Sequence, residues 1–218
     1  MTGEQVLFGD RTQRSDRDAL ALAWKALGEM DPRDIVRGAL AEWDEGKGAL
    51  TVPVIHRRAT AMLGEAKVVW ENGEQVFPPV HILVLHYLAR SREMEPSGDL
   101  IGFRELEGGS VYFSAFEAQS VKNVTRTFGP DPKSLLSAGN ALGATPFTLG
   151  HASIRVPMFP RVPVYIVVWA GDDEVPASSN FLFDSTIRDI LHTEDIAVLC
   201  SVLASMLRKA SGQARPQS

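Results

Sequence analysis

Residues 162–170, VPVYIVVWA, are apolar or aromatic throughout and rich in β-branched side chains. A short run with no polar face reads as a strand covered on both sides, whereas a strand with one wet face would alternate. Just before it, HASIRVPMF (151–159) alternates weakly. Just after it, Gly171, Asp172, Asp173 and Glu174 make an acidic loop. Further along, Thr193 reads as a helix cap with Glu194 and Asp195 in the first turn. Ile196, Leu199, Cys200, Leu203, Met206 and Leu207 then share one face, and Arg208 and Lys209 complement the carboxyl end of the helix dipole.

Working back from the central strand, Asp131-Pro132 opens a helix that carries Leu135, Leu136 and Leu142 and stops at Gly143. A helix is also expected from Phe116 to Phe128, up to Gly129, with Phe103–Phe113 extended around the Gly108-Gly109 break. PPVHILVLHYLARS (78–91) is apolar on nearly every side and, by its length, leucines and leading prolines, predicts a buried helix. ALTVPVI (49–55) and AKVVW (66–70) read as short strands, the second ending at an Asn72-Gly73 turn. The amino-terminal part reads as a helical pair. One helix covers about 16–29 behind a Ser15 cap, and the other opens at Asp31-Pro32 and carries its apolar stripe through Ile35, Val36, Ala39 and Leu40 to Trp43. The pattern predicts an α+β fold: one domain over residues 15–210 with a mixed, mainly antiparallel sheet flanked by N-terminal, middle and C-terminal helices. Mobile tails are expected at 1–14 and 211–218.

The 218 residues carry 22 Lys+Arg and 27 Asp+Glu, a formal net charge of −5. That balance argues against a nucleic-acid partner, which calls for a basic face. A single cysteine, Cys200, excludes an intramolecular disulfide and any iron–sulfur cluster ligated by this chain alone. The first residues lack the apolar core of a signal peptide, and the longest apolar runs fall well short of the roughly 20 residues that span a bilayer. These features predict a cytoplasmic protein without a membrane segment.

The common catalytic and cofactor signatures are absent: no GxxxxGK[ST], GxGxxG, HExxH, GxSxG or CxxC is found. Three constellations remain. His81 and His86 lie five residues apart on one expected helix, turned about 140° from each other, so a shared metal is disfavoured. Either alone could be an axial ligand to a porphyrin or corrinoid, or simply a core histidine bonded to a carbonyl. Asp172, Asp173, Glu174 and Asp184 could gather a hard divalent cation, or serve as turn and cap residues. Arg104 and Glu105 precede the paired glycines, where the arginine could hold an anion or the pair could be a surface turn.

The order of LHYLARS, GFRELEGGSVYFSAFE, TFGPDP, ALGATPFTLGHASIRV and WAGDDEVPASSNFLFD resembles the prokaryotic family known as domain of unknown function 3786, over about Trp24 to Leu207. Glu107 departs from the pattern, where a proline is expected before the two glycines. The resemblance carries no activity. It does imply a setting, because some similar proteins place a four-cysteine iron–sulfur domain, of the corrinoid iron–sulfur kind, ahead of this region. On that association the chain is expected to bind a tetrapyrrole or corrinoid cofactor, or to dock on an iron–sulfur or corrinoid redox protein, with His86, His81, Arg104 and Glu105 as contacts. Two other readings stand beside it: a divalent-metal-dependent hydrolase built on the acidic loop, and a protein–protein interaction domain without a small ligand.

Overall fold

The computed structural model describes residues 18–212. The expected N-terminal tail, the Ser15 cap and all of the C-terminal tail but Ser211 and Gly212 lie outside them. The elements run α1 (18–28), α2 (Pro32–Ala39), β1 (Glu42–Asp44), β2 (Ala49–Val54), β3 (Arg57–Met62), β4 (Lys67–Trp70) and α3 (Pro78–Arg90). They continue with β5 (Leu100–Gly102), α4 (Gly109–Phe116), α5 (Lys122–Phe128), α6 (Ser134–Asn140), β6 (Thr145–Phe147), β7 (Ala152–Phe159), β8 (Val162–Trp169), β9 (Ser178–Asp184), α7 (Ile187–Ile190) and α8 (Thr193–Ala210). This is an α+β fold. Its strands form two antiparallel sheets where one mixed sheet was expected: β1-β2-β3-β4 and β5-β9-β8-β7-β6.

The apolar run 162–170 supplies β8, the middle strand of the larger sheet, and six of its eight side chains are buried. β7 and β9 flank it in the register Ile154↔Ile166 and Ile166↔Phe181. Helices α5 and α6 pack on this sheet, and α8 packs in turn on α3, α4, α5 and α6. Buried apolar side chains from both sheets and from the helices form one continuous cluster. The smaller sheet joins it through β2, which lies against β7, and through the Ile55 amide, which donates to the Met158 carbonyl at 3.0 Å.

Two segments differ from the sequence expectation, each for a local reason. The second helix stops at Ala39 instead of continuing to Trp43. Leu40 takes a left-handed conformation (φ 50°), and Trp43 joins β1 opposite Leu50. The carbonyls at the end of α2, which a longer helix would satisfy internally, accept from elsewhere in the fold. Buried Arg161 donates Nε to Gly38 and Nη2 to Arg37, and the Tyr87 hydroxyl donates to Ala39. The Phe103–Phe113 segment, expected to be extended, is a short 3-10 turn at Phe103–Glu105 followed, after residues 106–108, by α4. Gly108 supplies the left-handed turn (φ 69°), and Gly109 lies so close to the Phe103 carbonyl that a Cβ has no room there. Phe103 can then stack on Phe116 with ring centroids 3.9 Å apart, and Phe116 meets Phe181 edge-on, which fixes the end of α4 to β9.

Candidate functional site

Helix α3 buries Leu83, Val84, Tyr87 and Leu88, and this leaves His86 and Arg90, one turn apart, on the side facing the corner between α7 and α8. That corner is anchored by buried Ile187, Ile190 and Leu191, which hold Arg188, Asp189 and His192 outward. His192 caps α8, and Asp195, three residues on, reaches back so that its Oδ2 accepts the His192 amide at 3.3 Å. The same carboxylate accepts from His86. The imidazole Nδ1–H lies 2.8 Å from Oδ1 and 2.9 Å from Oδ2.

Because an ionised carboxylate can only accept, a neutral ring in this bond carries its proton on Nδ1 and leaves the Nε2 lone pair free. Asp195 is 7% exposed, whereas a quarter of the His86 side chain reaches solvent. The His192 ring stands edge-on to His86 at 6.4 Å between centroids. The pair therefore combines a buried carboxylate with a fixed, partly exposed imidazole, which is the arrangement of an oriented proton acceptor or metal ligand.

Beside it opens a cleft of about 670 Å³ whose walls include Arg90, Glu107, Arg188, Asp189, His192 and Glu194. Its far wall is the Leu106–Gly109 turn, tied to α8 by the Thr193 hydroxyl, which donates to the Glu107 carbonyl at 2.6 Å. Arg90 Nε donates to the Ile190 carbonyl at 3.2 Å, and Arg188 Nη2 donates to the Glu105 carbonyl at 3.0 Å. Each guanidinium is thus held by one backbone oxygen. Among the described residues neither has a carboxylate at ion-pairing distance. On the far wall Tyr112, whose ring lies by Gly108, meets Glu194 of α8, and that carboxylate raises the phenol above its ordinary range.

The other sequence candidates sit elsewhere. His81 is 8% exposed and packs edge-on against Trp24 of α1 at 5.7 Å. Burial lowers its pKa, and its Nε2 has no hydrogen-bond partner among the described residues. Arg104 lies over the Phe113 ring at 3.4 Å from the centroid. The Glu105 carboxylate accepts the Gly102 amide at 2.6 Å, so only its carbonyl, through Arg188, reaches the cleft rim.

The four acidic residues expected around a divalent ion are not gathered. Asp172 accepts the Glu174 and Val175 amides at 2.9 and 2.7 Å within its own turn, which lowers its pKa, while Asp173 and Glu174 are exposed. Asp184 lies at the other end of β9, about 20 Å away at the usual strand rise. It accepts from Ser97, Gly98 and Thr186 through five hydrogen bonds. Among the described residues no group of three or more His, Cys, Asp or Glu is placed to hold a metal ion. The physical reason is topological: an antiparallel hairpin returns Asp184 to the end of the sheet opposite the acidic loop.

Asp195, Arg90, Arg188 and His192 are site residues that sequence reading did not single out. The spacing of His86 and Arg90 on one helical face was a signal for Arg90. The pairing of His86 with a residue 109 positions away had none.

Among the described residues no helix is long and apolar enough to cross a membrane. No curated protein and no solved structure matches the chain. A family model does, over residues 31–206, a span that includes both sheets and every side chain of the cleft. The chain belongs to the family described as domain of unknown function DUF3786.

Proposed function

We propose that this domain is a ligand-binding module whose site is the cleft between α3, the α7–α8 corner and the Leu106–Gly109 turn. His192 lines the cleft, and His86, edge-on to that ring, is the group at its edge that the bound molecule reaches. The carrying observation is the His86–Asp195 pair: a buried carboxylate on Nδ1 fixes the ring and turns Nε2 into a directed proton acceptor. The cleft volume of about 670 Å³ suits a metabolite-sized molecule.

The walls favour a small polar ligand over a tetrapyrrole or corrinoid. His86 Nε2 is a suitable axial donor for such a macrocycle, but the macrocycle's faces call for an apolar slot, and this cleft is lined by two guanidiniums and three carboxylates. A redox partner, iron–sulfur or corrinoid, would reach the domain at the same rim, in a reducing cytoplasm suited to the lone buried thiol of Cys200.

The test is a titration followed through the histidine ring resonances. Polar probes (orthophosphate, citrate, free amino acids), haem and cyanocobalamin are each added to the native chain and to His86→Gln. Binding of a polar probe that shifts the His86 and His192 signals and is lost in His86→Gln supports the reading. Binding of haem or cobalamin alone, with a spectral change that needs His86, moves the assignment to a tetrapyrrole module. If no probe disturbs either ring, the site is misassigned.

A further inference from the structure

The distribution of charge in the cleft narrows its ligand, provided the cleft is the binding site as proposed above. Arg90 and Arg188 enter from α3 and α7, and Glu107 and Glu194 enter from the turn before α4 and from α8, with Asp189 beside Arg188. Five charges share one cleft of about 670 Å³, yet no cation–carboxylate contact forms between them among the described residues. Elsewhere on this chain neighbouring opposite charges do pair, as in Arg57–Glu71 and Arg58–Glu42.

The two guanidiniums are held apart from the acids by their bonds to the Ile190 and Glu105 carbonyls. Those bonds use one N–H of each, so further donors of both forks stay available for a planar two-oxygen acceptor. A purely anionic ligand would satisfy the arginines but meet the carboxylates opposite. A purely cationic ligand would meet the reverse. We propose that the cleft recognises a zwitterion carrying a carboxylate and an ammonium group, that is, a free amino acid or the two ends of a short peptide. Arg90 and Arg188 take the carboxylate, Glu107 and Glu194 take the ammonium, and His192 lines the wall beside them.

The discriminating experiment is a thermal-shift measurement on the full chain with four probes: a pool of free amino acids, the same pool N-acetylated, the same pool as C-terminal amides, and orthophosphate. At ten times Kd a native-state ligand should raise Tm by about 3 °C or more. The proposal expects that rise with the free pool and its loss with both blocked pools. It also expects at least a tenfold weaker response in Arg90→Gln, and separately in Glu194→Gln, an exposed position chosen in case the arginine variant folds poorly.

Equal shifts from the free and N-acetylated pools would overturn the zwitterion assignment and leave a carboxylate site in the same cleft. A shift from orthophosphate alone would likewise leave the cleft as a binding site but make its ligand a simple anion. No shift from any pool overturns the zwitterion, and the ring-resonance titration with haem and cyanocobalamin then decides separately whether the cleft binds anything.

Discussion

Two buried aspartates, Asp184 at the end of β9 and Asp195 at the start of α8, show how the same side chain can serve structure in one place and chemistry in another. Asp184 is 2% exposed, and its oxygens accept from the Ser97 amide and hydroxyl, the Gly98 amide, and the Thr186 amide and hydroxyl. Every one of those donors is fixed and does not titrate in the ordinary range. Burial works against the charge, but the donors outweigh it and hold the carboxyl down at about 2. Asp195 is nearly as buried, yet its main partner is an imidazole, a quarter of whose side chain reaches solvent. The first arrangement ties the loop before β5 to the one after β9. The second transmits a carboxylate's influence to an atom that a ligand can touch.

The contrast is open to breakage at several points. The largest effect is expected from Asp184→Ala, which leaves five donors without their acceptor and should cost about 3–5 kcal/mol in chemical denaturation. Asp195→Ala removes one cap contact and one bond to a ring that can rehydrate, and should cost about 1–2 kcal/mol. If the order of the two losses were reversed, the division of labour drawn here would be wrong.

A second expectation follows from pH. The folded carboxyl of Asp184 sits near 2 against an ordinary value of 3.8, so its stabilisation is present above about pH 4 and is lost as pH falls towards 2. The loss should be of order 2 kcal/mol. Urea midpoints measured from pH 5 to pH 2 should fall more steeply for the native chain than for Asp184→Asn, and parallel curves would contradict this.

Binding should separate the two aspartates in the opposite sense. Asp195→Asn should weaken any cleft ligand by about tenfold, near 1.4 kcal/mol, while Asp184→Asn leaves the affinity of whatever remains folded unchanged. Isothermal titration with whichever probe binds reads this directly.

The smallest effect is expected at His81. Burial lowers its pKa, so the unfolded chain takes up its proton first as pH falls below about 6.5, and stability declines from there. His81→Phe keeps a ring against Trp24 and should flatten that slope without touching the cleft.

Much of the architecture was legible because it rests on local patterns. The continuous apolar run gave the central strand β8, PPVHILVLHYLARS gave α3, and Asp31-Pro32 gave the start of α2 with Asp31 Oδ1 accepting the Arg33 amide at 2.9 Å. Five strands escaped notice: β1, β5 and β6 are three residues each, too short to show a period, while β3 opens with two arginines and β9 with Ser-Ser-Asn, so neither shows an apolar run until its partners are known. The end of α2 was misplaced because its carbonyls are satisfied by Arg161 and Tyr87, side chains that the sequence keeps far away.

The same limit governed the site. His86 stood out as a histidine on an apolar helix, but Asp195 carried a complete local explanation as a first-turn acid, and nothing in its neighbourhood announced the imidazole. Asp184 was chosen for the density of carboxylates near it in sequence, a density that the β8–β9 hairpin pulls apart.

The central claim is that Asp195 sets the ring of His86 so that Nε2 is the free nitrogen. A long-range proton–nitrogen NMR correlation of the histidine rings, recorded where the ring is neutral, tests it most directly. The native chain should show His86 protonated on Nδ1 with Nε2 bare, and Asp195→Ala should shift the proton towards Nε2. A native His86 that already carries its proton on Nε2, or one whose tautomer ignores the loss of Asp195, would contradict the account.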